Sequence, residues 1–126
     1  MPIATRPRAG VQRMTIGALA RRTGSSIRTL RFYDRLGILE VDGRSEGNYR
    51  LFTEDAIACV RCIRDLQGSG LTLRQIRRLV ELCRAGGDAT AYLRTAYREA
   101  YDRISQEVTR LEERLRALGE RLASSP

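Results

Sequence analysis

The sequence predicts a mainly helical fold: a winged helix-turn-helix with a two-stranded wing, followed by one long helix. Three observations lead to this prediction. Two short amphipathic patterns are joined by a Gly-Ser-Ser turn within about residues 15–36. A stretch rich in turn residues then separates two short apolar runs across about residues 38–52. Finally, apolar residues recur at steps of three and four over about residues 88–122, which is the period of a helix with one apolar stripe.

The first two helices are predicted from their caps and their apolar spacing. Thr15 suits an N-cap, and apolar residues follow it at helical spacing, so the first helix spans about residues 15–22. Gly24 suits the left-handed residue that ends this helix. Ser25 or Ser26 caps the second helix.

The second helix is predicted to carry two different faces. Its apolar side chains recur at helical spacing and can turn toward the core; they are Ile27, Leu30, Tyr33 and Leu36. Other side chains point away from the core and are available to a ligand; they are Arg28, Thr29 and Phe32.

The wing is predicted as a short hairpin. Residues 38–41 are the candidate first strand and residues 49–52 the returning strand, because the residues between them are typical of turns. A two-stranded hairpin of this length is not stable alone, so it must lean on the helices.

Two further helices complete the first domain. Thr53 suits the N-cap of a third helix of about residues 54–69. Thr72 and Gln75 have the spacing of a capping box for a fourth helix of about residues 73–84.

The last segment, residues 87–122, has the pattern of one long helix with a narrow apolar stripe. The steps are those of a heptad repeat with one irregularity. The stripe residues are Leu93, Tyr97, Ala100, Ile104, Val108, Leu111, Leu115, Leu118 and Leu122. One alternative is a helix folded back on its own domain, but a four-helix head already has its own core. We therefore predict that it forms a coiled coil with the same helix of a second copy, antiparallel or parallel. Residues 123–126 are predicted to be a frayed end.

Positive charge is concentrated in the first half of the chain. All 23 cationic residues are arginine, and the formal net charge is +8. Residues 1–50 hold ten Arg and four acidic residues, whereas residues 88–126 hold seven of each. An Arg-rich genome explains the missing lysine but not this asymmetry, which is typical of a polyanion-binding surface. Together with the helix-turn-helix pattern, it predicts binding to double-stranded DNA.

The composition argues against several other classes of protein. The chain has no histidine, the commonest general base and metal ligand, and no convincing catalytic set can be assembled. We therefore predict no catalytic residues, no metal and no cofactor. No apolar run is long enough for a bilayer and no signal peptide is recognisable, which predicts a cytoplasmic, nucleoid-associated protein without a membrane partner. Residues 1–13 are predicted to be a disordered tail, and Met14 is a candidate for the native start.

Four sequence blocks follow one another along the chain: TIGALARRTG, IRTLRFYDRLGIL, RSEGNYRLF and LQGSGLTLRQI. In order and spacing they resemble the MerR family of bacterial transcription regulators, and the resemblance covers about residues 14–122. It implies a MerR-type DNA-binding domain over residues 14–86 and a homodimer joined by antiparallel C-terminal helices. The dimer is expected to bind promoter DNA, to act with RNA polymerase, and to bend and untwist the promoter on sensing an effector. Such deformation costs about 1–6 kcal/mol.

The pattern and the resemblance together predict the residues that contact DNA. They lie on the first two helices and the wing, and they are Thr15, Arg28, Thr29, Arg31, Tyr33, Arg44, Tyr49 and Arg50. Thr15 is expected to bind a phosphate at a helix N-terminus, and Arg28 is the first candidate for a base-edge contact. Phe32 lacks the hydroxyl that the family usually has at its position, whereas Tyr33 keeps one for a phosphate.

The sequence leaves the effector unknown. Cys59 and Cys62 lie one helical turn apart, but a soft-metal site needs further ligands, so the better reading is that they are small core residues. The cysteine positions of the family's metal and redox sensors are not matched. Cys83, near the predicted hinge before the long helix, is the candidate thiol sensor.

Two other functions stay open at this point. A dimeric architectural DNA-binding protein or simple repressor needs no effector site, which agrees with the lack of a recognisable sensor segment. A coiled-coil interaction protein with no DNA role leaves the wing and the charge asymmetry unexplained.

Overall fold

A computed structural model describes residues 12–126 as a helical head and one projecting helix. The elements in chain order are β1 (Met14–Thr15), α1 (Ile16–Thr23), α2 (Ile27–Arg35), β2 (Leu51–Phe52), α3 (Glu54–Gly68), α4 (Leu73–Arg84) and α5 (Thr90–Ser124). We call residues 14–86 the head. Over the described part of the chain, every helix falls short of the length and apolar character needed to span a membrane.

The predicted tail lies mostly outside the described residues, which begin at residue 12. Arg13, assigned by the sequence to that tail, is held beside the wing instead. Its Nε atom lies 2.8 Å from Oδ2 of Asp42. The head therefore begins its contacts one residue before the predicted boundary.

Cap residues set the helix ends where the sequence predicts them. The side chain of Ser26, rather than that of the preceding serine, accepts a hydrogen bond from the backbone N–H of Thr29 at 3.0 Å. Thr72 and Gln75 form both bonds of a capping box at the start of α4. Gly24 ends α1 with a φ of 71°, a left-handed conformation that favours glycine. These predictions are confirmed.

One apolar core joins α1, α2, α3 and α4. Its largest fully buried side chains come from every one of these helices and from β2; they include Leu19, Leu30, Phe52, Ile63, Ile76 and Leu79. Full burial of a side chain of this size stabilises the fold by roughly 1.5–3 kcal/mol. The core fixes α1, α2 and β2 against each other.

The predicted first wing strand, residues 38–41, is wrong. Ile38 and Leu39 are adjacent and both buried, at 0% and 4% exposure, whereas a strand on the surface alternates between buried and exposed side chains. This segment fills the core instead. β2 pairs antiparallel with β1, with Met14 opposite Phe52.

The wing is a hairpin over residues 42–51. Arg44 and Arg50 pair in an isolated antiparallel bridge. At the tip, the backbone N–H of Asn48 donates to the carbonyl of Ser45 at 2.8 Å. Asn48 has a φ of 65°, which asparagine adopts more readily than most residues. The expected turn chemistry is confirmed.

The first turns of α5 pack on the head. Ala96 and Ala100 are almost fully buried, and Nε2 of Gln75 donates to Oε2 of Glu99 at 2.9 Å. Leu93 packs against the core of the head. Ala100 is covered by its own chain, which corrects its predicted contact with a second copy. Leu93 is only half-buried, and its intermolecular contact stays a prediction.

The rest of α5 projects away from the head. Every residue from 101 to 124 is exposed, and the helix continues to Ser124, so the predicted frayed end begins too early. The whole of α5, with 35 residues, extends about 50 Å. The exposed apolar residues of the stripe are Tyr97, Ile104, Val108, Leu111, Leu115, Leu118 and Leu122.

Tyr33 belongs to the core. It is 4% exposed, and its hydroxyl donates to Oε1 of Gln67 at 2.8 Å, which ties α2 to α3. Burial raises the pKa of Tyr33, and the positive charge of Arg64 partly offsets this. The structure corrects the expectation of a phosphate contact, because this hydroxyl is already bonded within the protein.

Cys59 is also a core residue, as predicted. It is 4% exposed, and its thiol donates to the carbonyl of Ile38 at 3.3 Å. Burial and, to a smaller extent, the neighbouring Cys62 raise the pKa of Cys59 to about 12. At neutral pH this thiol is protonated and unreactive.

Replacing Tyr33 by Phe should lower the free energy of unfolding by about 1 kcal/mol, because the side chain of Gln67 loses its hydrogen bond. Urea denaturation measures this change. Tyr49→Phe is the matched control, since Tyr49 is 71% exposed, and it should leave stability unchanged. Equal stability of Tyr33→Phe and the parent would contradict the assigned role.

Alkaline pH should destabilise the head through Cys59. Between a pH of about 9 and the folded pKa of about 12, the folded chain keeps the thiol proton and the unfolded chain loses it. The free energy of unfolding then falls as pH rises, by at most about 1.4 kcal/mol per pH unit from this group. Denaturation across this range should show a smaller fall for Cys59→Ala than for the parent. The same pH dependence in both proteins would contradict the burial of the thiol.

Candidate nucleic-acid interface

The N-terminus of α1, one face of α2 and the wing converge on a groove of about 410 Å³. We call it the phosphate groove. Its lining residues come from all three elements; they are Thr15, Ile16, Arg31, Asp34, Asn48, Tyr49 and Arg50. Four of the predicted DNA-contacting residues therefore share one concave surface, although they are up to 35 positions apart in the sequence.

Thr15 is the N-cap residue of α1. It is exposed, and its Oγ1 atom accepts a hydrogen bond from the backbone N–H of Ala18 at 3.3 Å. The first turn of α1 contains no acidic residue, so nothing there neutralises the positive end of the helix dipole. Backbone N–H groups at such an end bind phosphate well.

The outer face of α2 is cationic and open. Arg28 and Arg31 are exposed, and the first turn of α2 contains no acidic residue. Thr29 is half-buried, and its hydroxyl accepts a hydrogen bond from Oγ of Ser26 at 2.9 Å. Phe32 is 41% exposed. Exposed arginines on one face of a second helix are what a helix-turn-helix presents to the major groove.

The wing presents its polar groups on the other side of the groove. Tyr49 projects into solvent, and Nη1 of Arg44 donates to the carbonyl of Asn48 at 3.1 Å, which stiffens the tip. Arg28, Thr29 and Arg44 flank the phosphate groove without lining it. The predicted residues thus divide into a central set and an outer set.

Arg50 makes a contact that the sequence does not predict. Its Nε atom lies 2.6 Å from Oδ2 of Asp34, and its Nη2 atom donates to Oδ1 at 3.0 Å. Asp34 and Arg50 are separated by 16 positions, so neither helical nor strand periodicity connects them. The signal in the sequence that could have indicated this contact is Asp34 itself, an acidic residue on the otherwise basic helix α2.

Cys83 lies in the last turn of α4, half-buried. Burial raises the pKa of the Cys62 thiol, as does the carboxylate of Asp65 and, to a smaller extent, Cys83, so the two thiols are neighbours. Among residues 12–126, no group of three or more Cys, Asp or Glu side chains is arranged to hold a metal ion. The role of Cys83 as a thiol sensor stays a prediction.

Comparison with known proteins identifies relatives of this chain. A family profile described as MerR HTH family regulatory protein matches residues 14–83. Nodulation protein NolA of Bradyrhizobium elkanii is 33% identical over 108 residues, which are 83% of this chain and 46% of that protein. This chain therefore spans less than half the length of that relative.

Two solved structures share the fold and part of the sequence. HiNmlR, a MerR family regulator lacking the sensor domain and bound to promoter DNA, is 28% identical with a TM-score of 0.61, covering 89% of this chain and 85% of that one. PbrR691 of Ralstonia metallidurans CH34, in complex with lead(II), is 34% identical with a TM-score of 0.63, covering 87% and 83%. With more than half of its residues matched by the family profile, this chain belongs to the MerR family of helix-turn-helix regulatory proteins.

Proposed function

We propose that this protein is a homodimeric transcription regulator that binds promoter DNA and changes its shape in response to an effector. The observation that carries the proposal is the phosphate groove, where Thr15, Arg31, Tyr49 and Arg50 meet beside the cationic face of α2. The similarity to a family member bound to promoter DNA supports it.

In the proposed complex, α2 enters the major groove and the wing contacts the adjoining backbone. Arg28, exposed on the outer face of α2, reaches base edges as a bidentate donor to guanine. Thr15 and the N-terminus of α1 bind a phosphate, and Arg44, Tyr49 and Arg50 hold the strand beside it. Phosphate contacts set the position of the head, and Arg28 supplies sequence preference.

The proposed dimer forms through the distal part of α5. Leu111, Leu115, Leu118 and Leu122 are all at least half exposed, and apolar stripes of this kind are covered by a second helix in coiled coils. An antiparallel pairing relates the two heads by a twofold axis, so they meet two half-sites on one face of the duplex.

The proposed regulation uses deformation of the promoter. Because the first turns of α5 are packed on the head, a change in how two α5 helices cross also changes the relation between the two heads. RNA polymerase then meets a promoter of altered twist. Bending and untwisting such a site costs about 1–6 kcal/mol, which two heads with many phosphate contacts can supply. The effector stays unassigned.

A second candidate is a dimeric repressor or architectural protein without an effector site. The similarity to a family member described as lacking the sensor domain favours it. Transcription in vitro from the promoter upstream of the gene separates the two. Activation of transcription by a bound dimer, with unwinding of the promoter DNA, supports the effector-responsive regulator. A uniform decrease in transcripts without distortion of the DNA supports the repressor or architectural protein.

Replacing Arg28 by Ala should weaken binding to the specific site by about 1–3 kcal/mol and reduce the preference over random DNA, because a base-edge contact is lost. Fluorescence anisotropy with specific and random duplexes measures both. Arg116→Ala is the charge-matched control, since Arg116 is exposed on α5 far along the helix. If both variants lose the same affinity, Arg28 contributes only general charge.

Replacing Leu111 and Leu115 by Gln should yield monomers that bind the operator much more weakly, because the apolar stripe can no longer pack against the stripe of a second α5 helix. Sedimentation velocity measures the state of association. The control exchanges Arg110 and Arg116 for Gln, exposed residues of the same helix at spacings away from the stripe, and should remain dimeric. A dimer of unchanged affinity after both leucine replacements would contradict the proposed interface.

A further inference from the structure

The phosphate groove contains one acidic side chain among its lining residues, Asp34. Asp34 lies in the last turn of α2, on the same side as Arg31, which precedes it by three positions. A carboxylate repels phosphate at short range. Its presence in a groove that is otherwise lined by cationic and neutral residues therefore requires a compensating contribution.

The contact with Arg50 supplies that contribution. Two N–H groups of the guanidinium face the two carboxylate oxygens, at 2.6 Å and 3.0 Å. This bidentate arrangement fixes the orientation of the guanidinium plane as well as its position. The side chain of Asp34 is 11% exposed, whereas that of Arg50 is 44% exposed. The largely buried carboxylate therefore fixes one edge of a guanidinium that is otherwise open to solvent.

The backbone of Arg50 connects this ion pair to the wing. Arg50 forms the isolated bridge with Arg44, and Leu51, which follows it, pairs with Thr15 in the small sheet. The ion pair therefore joins α2 to the point where the wing leaves the sheet. A guanidinium has further N–H donors beyond those that Asp34 accepts, and these remain available to a phosphate in the groove.

We propose that Asp34 is a positioning residue for DNA binding: it holds the wing against α2 and aims the free edge of Arg50 into the phosphate groove. The inference rests on the proposed DNA binding and adds a residue that acts through another. Asp34 does not contact the DNA in this account. Its negative charge is tolerated because the gain in order of the wing exceeds the repulsion of one screened charge.

The direction in which DNA affinity changes when Asp34 loses its charge separates a positioning role from simple repulsion of phosphates. Removing a negative charge from a DNA-binding surface ordinarily tightens binding, because it reduces repulsion of the phosphates. A positioning role predicts the opposite. Asp34→Asn should weaken binding to promoter DNA by about tenfold, the effect of losing about one charge-assisted hydrogen bond, although the variant carries one more unit of positive charge.

The matched control is Glu46→Gln. Glu46 is exposed at the tip of the wing and makes none of the ion pairs found among residues 12–126. This replacement removes the same charge, here from the wing rather than from α2, and the variant should bind DNA as tightly as the parent or more tightly. Equal or tighter binding by Asp34→Asn would overturn the proposal.

A double-mutant cycle shows whether Asp34 acts through Arg50. Arg50→Gln should weaken binding on its own, and adding Asp34→Asn to it should cause no further loss, because the arginine that Asp34 positions is already absent. Independent, additive losses would assign Asp34 a role other than positioning Arg50 and would overturn the proposal.

A measurement without DNA keeps this inference distinct from the proposed function. In the free protein, the backbone N–H groups of Ser45 and Asn48 are bonded within the wing. Their hydrogen exchange should be faster in Asp34→Asn, by about tenfold, and unchanged in Glu46→Gln. If the parent binds no promoter DNA, the proposed function fails while this comparison still decides the inference. Unchanged exchange in Asp34→Asn would overturn the positioning role.

Discussion

The shared core of α1, α2 and β2 is the constraint on which the rest of the molecule depends. Leu19, Leu30 and Phe52, one from each element, are fully buried within it. Their burial sets the angle between the two helices and places the wing beside them, so polar groups from three separate elements face one groove. The apolar side of each element fixes where its charged side points, and the ion pair with Asp34 additionally orients Arg50.

The ends of the helices and the identity of most interface residues follow from local rules. A serine, three threonines and a glycine at α-helix ends act through atoms within two to four residues of themselves, so their sequence context is sufficient. The segment at residues 38–41 and the ion pair of Asp34 with Arg50 depend on contacts formed only after folding. Tyr33 illustrates the limit: its helical spacing indicates a buried position, but only the proximity of Gln67 on α3 shows where its hydroxyl is bonded.

The long helix combines two kinds of packing that one periodic pattern does not separate. Ala100, a residue of the stripe, faces the head at Gly70. A Cβ added to Gly70 would lie 3.4 Å from the Cβ of Ala100. Three turns later, Leu111 is half exposed and has no contact with the head's core. The same stripe thus anchors α5 to its own chain at one end and offers an apolar surface at the other. In the proposed dimer, this continuity is what transmits a change in helix crossing to the DNA-binding surface.

The central claim is that two heads joined by their α5 helices bind one duplex through phosphate contacts. The most direct measurement is a sedimentation titration of a labelled duplex from the promoter upstream of the gene, repeated across a range of salt concentrations. We expect two chains per duplex and an affinity that falls steeply and linearly on a double-logarithmic plot against salt. A single chain per duplex, or an affinity indifferent to salt, would contradict this mode of binding.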